Sequence, residues 1–212
     1  AYASGGDLNK ALDGLGSKFE TLNLGVKPYP SCRYSHAAID GIIDLKQELD
    51  FSIEDLDDID IGLSETALNI IGYPLEDKQN PKSIVDGQFS MPFCAAVAAK
   101  SGGLKWDDYK NHLNNSDTLA LCNKIKVNPD KDAEKCCPEF MSAKVKMVVK
   151  GKTYEKFVKI PKGEPENFMK DEEFISKFKG LTEPYLSNER VNQLTDLMLK
   201  IDQPNNVNSI FE

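Results

Sequence analysis

The sequence has no long hydrophobic run. Its most apolar stretch is the short segment Cys94–Ala99 (CAAVAA), well below the ~18–20 residues that a membrane-spanning helix needs. No charged-then-apolar leader opens it, so a cytoplasmic protein without membrane contacts is expected. Histidine is scarce, at two residues. The five cysteines, Cys32, Cys94, Cys122, Cys136 and Cys137, are odd in number and form no C-x-x-C pair. A zinc site is therefore poorly supported and no metal is expected. Free thiols in a reducing compartment account for the cysteines most simply, with Cys136 and Cys137 read as adjacent half-buried thiols. Ser90 follows no G-x-S-x-G elbow, which argues against a hydrolase nucleophile. The SGGL stretch at 101–104 reads as a helix stop, not as a phosphate-binding loop. Positive charge is in deficit, with 26 Lys and Arg against 34 Asp and Glu and a net charge of −8. That argues against a nucleic-acid-binding surface but leaves room for a local basic pocket that takes a small anion.

What remains is ordinary globular composition: 212 residues, 40% hydrophobic, 28% charged, with 14 glycines and 11 prolines. A chain of this length buries roughly 70% of its unfolded surface without disulfides or metals. Leu8, Ala11, Leu12 and Leu15 stand at helical spacing before Gly16, and residues 18–26 look extended. Ala38, Ile42, Leu45 and Leu49 lie on one helical face, with Ser35 placed to cap it. Ile59, Ile61 and Leu63 alternate with Asp58, Asp60 and Gly62, as in a half-buried edge strand. Residues 66–71 predict a short helix, and a polar loop follows to Pro81. Residues 85–100 predict one buried, alanine-rich helix stopped by Gly102 and Gly103. Short helices are predicted over 106–112 and 118–123, and a short strand over 125–127. Ala143, Val145, Met147 and Val149 alternate, Lys150 and Gly151 turn the chain, and residues 153–160 return as the second arm of a hairpin. Pro161, Gly163 and Pro165 mark a boundary. Beyond it, residues 171–178 and 189–201 predict helices, the second with the stripe Val191, Leu194, Leu197, Met198 and Ile201. The expected fold is α+β: a small, mostly antiparallel sheet layered with helices, followed by a C-terminal helical segment.

Chemistry concentrates in the segment KPYPSCRYSH (Lys27–His36), which holds a lysine, an arginine, a histidine, a cysteine and two tyrosines. Two prolines stiffen it where it opens a helix. Arg33 can grip a carboxylate through its guanidinium fork, Lys27 offers a compact charge to another, and His36 can exchange a proton near neutral pH. Helix-terminal amides favour an anion there and lower the pKa of a nearby imidazolium. A polycarboxylate pocket with one proton-transfer group is one reading. A surface lysine, a structural arginine ion pair and a helix-end histidine are the other. His112 reads as structural or exposed. Asp55, Asp57, Asp58 and Asp60 lack the EF-hand spacing and read as a solvated strand face.

The string KPYPSCRYSHAAIDG (Lys27–Gly41) resembles the signature of the MmgE/PrpD family, which includes 2-methylcitrate dehydratase, cis-aconitate decarboxylase and iminodisuccinate epimerase. PKSIVDGQFSMPFCAAVA (Pro81–Ala98) and PKGEPENFMKDEEFISKFKGL (Pro161–Leu181) are similar to further family segments in the same order, and the opening GGDLNKALDGLG is similar to its lead-in. The resemblance implies a small α/β domain over residues 1–162. Residues 163–212 would be helices that return to a large N-terminal helical domain. The start at Ala1, within a helical pattern, fits a C-terminal portion lacking that domain. The implied activity is cofactor-independent dehydration of a citrate-like polycarboxylic acid, with decarboxylation or epimerisation as alternatives. The implied partners are the polycarboxylate substrate, the helical domain and a second copy in a homodimer. By resemblance, Lys27 and His36 are the catalytic candidates of this chain. Lys27, Arg33, Ser90 and Phe93 are the substrate-binding ones; Phe93 stands where some members carry a tyrosine. The principal acid–base residues belong to the helical domain, so this chain alone is expected to be inactive. A non-catalytic assembly subunit, associating through the C-terminal stripe, is the contrasting expectation.

Overall fold

A computed structural model describes residue 7 and residues 10–203. Leu8, part of the first expected helix, lies outside the described residues, as does everything beyond residue 203. Residues 10–17 make successive i→i+3 turns in place of a regular helix, with Leu12 and Leu15 exposed. The expected extended stretch also turns, as a 3-10 segment over Glu20–Asn23.

Regular structure begins at helix α1, His36–Leu49. Strand β1, Leu56–Leu63, leads to α2, Glu65–Ala67, which widens into a π turn over Leu68–Gly72. Two short helices follow, α3 (Leu75–Gln79) and α4 (Ile84–Gln88), then α5 (Met91–Ser101), α6 (Asp108–His112) and α7 (Ser116–Cys122). Strand β2 is Ile125–Pro129, helix α8 is Lys131–Cys136, and the hairpin is β3 (Ala143–Val149) with β4 (Lys152–Val158). Helices α9 (Asp171–Thr182) and α10 (Asn188–Met198) end the described chain.

The four strands form one sheet in the order β2-β1-β3-β4. β1 runs parallel to β2 and antiparallel to β3, and β3 runs antiparallel to β4, so the sheet is mixed but mostly antiparallel. This is the expected α+β architecture. Strand β1 is central, not an edge: both flanks are hydrogen-bonded, and its alternation arises because one sheet face is covered and the other is not. On the covered face Ile59, Ile61 and Leu63 are fully buried. Leu56 joins them at an odd spacing because a register irregularity between Leu56 and Asp58 shifts the pleat. Ala143, Val145 and Met147 of β3 complete that face, and α1 and α5 pack over it.

Alanine lets α5 enter the core on every side: Met91 to Ala99 are all fully buried. The expected single helix over 85–100 is two helices, broken at Ser90. The Ser90 hydroxyl accepts from the Phe93 amide at 3.0 Å and donates to the Lys78 carbonyl, which restarts the helix as α5. At the other end Gly102, with φ +71°, provides the left-handed stop. The foreseen cap of α1 differs as well. The Ser35 hydroxyl bonds back to the Cys32 carbonyl at 2.8 Å and leaves the helix amides alone. Helix α3, in the presumed polar loop, and α8, capped by Asp130, were not foreseen.

Replacing Ser90 by Ala strips a partner from the Phe93 amide and the Lys78 carbonyl together. The expected loss is about 1–2 kcal/mol of stability in urea denaturation. An unchanged midpoint would show that the break at 89–90 does not depend on this hydroxyl.

Candidate functional site

The stiff segment before α1 is pinned at its middle. The Pro30 carbonyl accepts from the Tyr109 hydroxyl at 2.9 Å and from the Gln88 side chain at 3.1 Å, while the Cys32 amide donates to the Gln88 carbonyl at 2.9 Å. Helices α4 and α6 thus hold a loop whose two prolines already restrict it.

Its flanks are joined to the segment after β4. The Val26 amide donates to the Gly163 carbonyl at 2.7 Å. Gly163 has φ +87°, and a Cβ built there would stand 1.9 Å from the Val26 carbonyl oxygen. Two nitrogens of Arg33, Nε and Nη2, converge on Oε1 of Glu164 at 2.8 and 2.6 Å. Asp40 bridges the same two segments: its Oδ1 accepts from the Tyr29 hydroxyl at 2.6 Å and its Oδ2 from the Lys162 amide at 2.7 Å. Burial raises the Asp40 carboxyl above its ordinary value, against the pull of those two donors. The Tyr29 phenol is raised by its own burial and by the charge of Asp40.

Over this junction opens a cleft of about 710 Å³. One wall is the loop at Lys27–Pro30, a second is the α5–α6 connection at Gly102–Trp106, and a third is the face of α9 bearing Glu172, Glu173, Ser176 and Lys177. Four lysines line it, Lys27, Lys105, Lys162 and Lys177, against two glutamates. Lys162 pairs with Glu173. Burial alone would raise Glu173, but Lys162 and the Lys170 amide more than offset it and hold the carboxyl low. Among the described residues the Lys27 ammonium bonds to the Ser31 carbonyl, at 3.1 Å, and Lys177 to the Lys27 carbonyl, at 2.8 Å.

Of the residues expected from sequence, Lys27 alone lines the cleft. Arg33 is half-buried and grips Glu164, the structural pairing weighed beside its substrate role. Ser90 and Phe93 are fully buried, the first as a helix cap and the second stacked on Tyr109 with ring centroids 5.8 Å apart. His36 is fully buried too, packed edge-on against Tyr29 at 5.3 Å, and neither ring nitrogen has a hydrogen-bond partner among the described residues. The expected titration near neutrality is thereby corrected. Burial, aided by the Arg33 charge, lowers its pKa to about 3, so the imidazole is neutral at pH 7. The residues sequence reasoning passed over are Lys105, Lys162 and Lys177. No spacing pattern marks them; Lys162 and Lys177 lie inside the Pro161–Leu181 segment, which was noticed only as a likeness. Among the described residues no group of three or more His, Cys, Asp or Glu could hold a metal, and no helix is long and apolar enough to cross a membrane.

The model of the MmgE/PrpD C-terminal domain matches residues 29–203, and the chain belongs to that family. The match starts two residues after Lys27, whose candidate role comes from the motif resemblance. No curated protein matches the chain.

Two outcomes follow from the junction and the buried imidazole. Gly163→Ala places a methyl against the Val26 carbonyl in a left-handed backbone. It should cost about 2 kcal/mol or more in urea denaturation; a neutral result would mean that the two loops separate without penalty. For His36, the ordinary pKa of 6.5 falls to about 3 on folding. The unfolded chain then binds more protons between these values, so stability drops as pH falls from 6.5 towards 3. The whole shift is worth roughly 4–5 kcal/mol. Asp40, raised on folding, acts in the opposite direction. The check is therefore the difference between the stability–pH curves of the wild type and His36→Leu, which should slope over that window; parallel curves would contradict the buried neutral state.

Proposed function

We propose that this member of the MmgE/PrpD family carries the C-terminal side of a site at which a citrate-like polycarboxylic acid loses water. The observation that supports this most directly is the cleft itself. On a chain of net charge −8, four lysines gather around one cavity, and three of them, Lys27, Lys105 and Lys177, make no ion pair among the described residues. A small multiply charged anion is the ligand such a cavity suits.

Dehydration next to a carboxylate removes a proton from carbon and expels a hydroxyl from the neighbouring carbon. Negative charge develops on the carboxylate side and on the departing oxygen. In this reading Lys27 holds a carboxylate or protonates the leaving hydroxyl; what supports it is that Lys27 lines the cleft on a loop held at Pro30. His36 remains neutral and buried at pH 7, where its part is to support Tyr29 and the loop behind Lys27. The proton acceptor would then come from the N-terminal helical domain that the family resemblance implies. That domain would also cover apolar side chains that α10 and its neighbourhood leave exposed, such as Tyr185 and Met198. The same cleft would serve decarboxylation or epimerisation, since all three reactions start from a held carboxylate.

The intact gene product, incubated with 2-methylcitrate and related hydroxy-acids in D2O and followed by NMR, should form an alkene that keeps every carboxylate. Lys27→Gln should lower kcat/KM by about 100-fold or more, and the 212-residue chain alone should form no alkene. Release of carbon dioxide, or exchange at carbon without water loss, would replace dehydration by the corresponding alternative. No turnover of any such acid would remove the reading.

A further inference from the structure

The cleft wall at Gly102–Trp106 leaves α5 and enters α6, and its two ends are tied by a polar cluster that does not itself line the cleft. Thr118, fully buried in the first turns of α7, is the centre of that cluster. Its hydroxyl stands 3.1 Å from Lys100 Nζ, 3.1 Å from Asn115 Oδ1 and 2.8 Å from His112 Nδ1. Donor counting assigns the protons. An ammonium only donates. Asn115 Oδ1 accepts from the Thr118 amide at 2.9 Å, so it is an acceptor and takes the hydroxyl proton as well. The hydroxyl has no second proton to give, hence His112 carries its proton on Nδ1 and donates to Thr118. The nitrogen left to titrate is Nε2, which faces the Ser101 hydroxyl at 3.5 Å.

Protonating Nε2 would leave these contacts in place but set a second cation against one oxygen. The Lys100 ammonium and the His112 ring both touch Thr118 Oγ1, so they lie within two hydrogen-bond lengths of each other. Like charges that close repel where solvent is partly excluded. Of the charged groups around the ring, α5 contributes Lys100 and α6 contributes Asp108, while α7 brings the uncharged Thr118 and Asn115. Burial lowers the pKa of His112 below the ordinary 6.5, with Asp108 opposing and Lys100 assisting. The proton is therefore held more tightly once the cluster opens, and falling pH shifts the population towards the open form.

We infer that Lys100, His112 and Thr118 form a pH-sensitive latch at the foot of the Gly102–Trp106 wall, closed while His112 is neutral and released when it is charged. The wall also bears on the loop at Lys27–Pro30: Tyr109 of α6 packs edge-on against Trp106 at 6.2 Å and donates to the Pro30 carbonyl. Releasing the latch loosens one side of the cleft. The latch governs the wall whichever ligand the cleft takes, so it is independent of the dehydration reading.

The chain supplies its own reporters. Trp106 is its one tryptophan, and His112 is one of two histidines, the other being His36 with its pKa lowered to about 3. NMR of the imidazole nitrogens of the 212-residue chain between about pH 5 and 8 should show His112 as the Nδ1–H tautomer with a midpoint below 6.5. Tryptophan fluorescence, and its quenching by acrylamide, should rise or fall with the same midpoint. Lys100→Met keeps the alkyl stem without the charge and should raise the midpoint towards 6.5. Lys152→Met, the same change on exposed β4, should leave it where it is. His112→Asn keeps an N–H for Thr118 but takes no charge, and should abolish the fluorescence change. An Nε2–H tautomer, a midpoint that Lys100→Met does not move, or a Trp106 response that survives in His112→Asn would each overturn the latch. Should asparagine at 112 prevent folding, the Lys100→Met midpoint decides.

Discussion

The backbone contact between Val26 and Gly163 sets where the lysines of the cleft can stand. It joins a loop that precedes the first helix to a loop that follows the last strand. Arg33 with Glu164 and Asp40 with Tyr29 and the Lys162 amide close the same seam. A side chain at residue 163 would hold the strands of this seam apart, so the whole arrangement depends on a position that glycine alone fills without strain. Lys27 lies on one lip, and Lys162 and α9 on the other.

The electrostatics follow from that closure. Arg33 and Lys162 spend their charge on Glu164 and Glu173, and so act as fasteners. Lys27 and Lys177 bond to carbonyl oxygens and make no ion pair among the described residues. His36 lies behind them with no hydrogen-bond partner for its ring among the described residues, and cations nearby are one more reason for it to stay neutral. The acidic balance of the chain as a whole says nothing about this cavity, because charge acts locally once solvent is partly excluded.

Much of the fold was legible because its patterns are long. The α1 face, the β1 alternation and the hairpin each repeat over enough residues for a period to show. Helices α3 and α8, five and six residues long, have no room for one. The central place of β1 was hidden because an edge strand and a central strand covered on one face alternate alike. The break at Ser90 was masked by the apolar residues around it. At the cleft, Lys27 was singled out by the motif that it opens, ahead of Pro28 and Pro30. Lys105, Lys162 and Lys177 were not, since contacts across the seam, rather than spacing along the chain, single them out from the other lysines. The outcomes for Arg33 and His36 also turned on partners and burial, which residue type does not record.

Helix α5 has a consequence of a mechanical kind. Its flank residues are locked into the core, and its last turn delivers the Gly102–Trp106 rim to the cleft. A rod of this sort acts as a gauge: each residue advances the rim by about 1.5 Å and rotates it by about 100°. Loops elsewhere can gain or lose a residue and absorb the change, but a single insertion between Ser90 and Gly102 would carry the far wall around the axis and away from Lys27. Divergence within this architecture should therefore leave the length of α5 fixed while the connection after it varies, and the width of the opening would be tuned there.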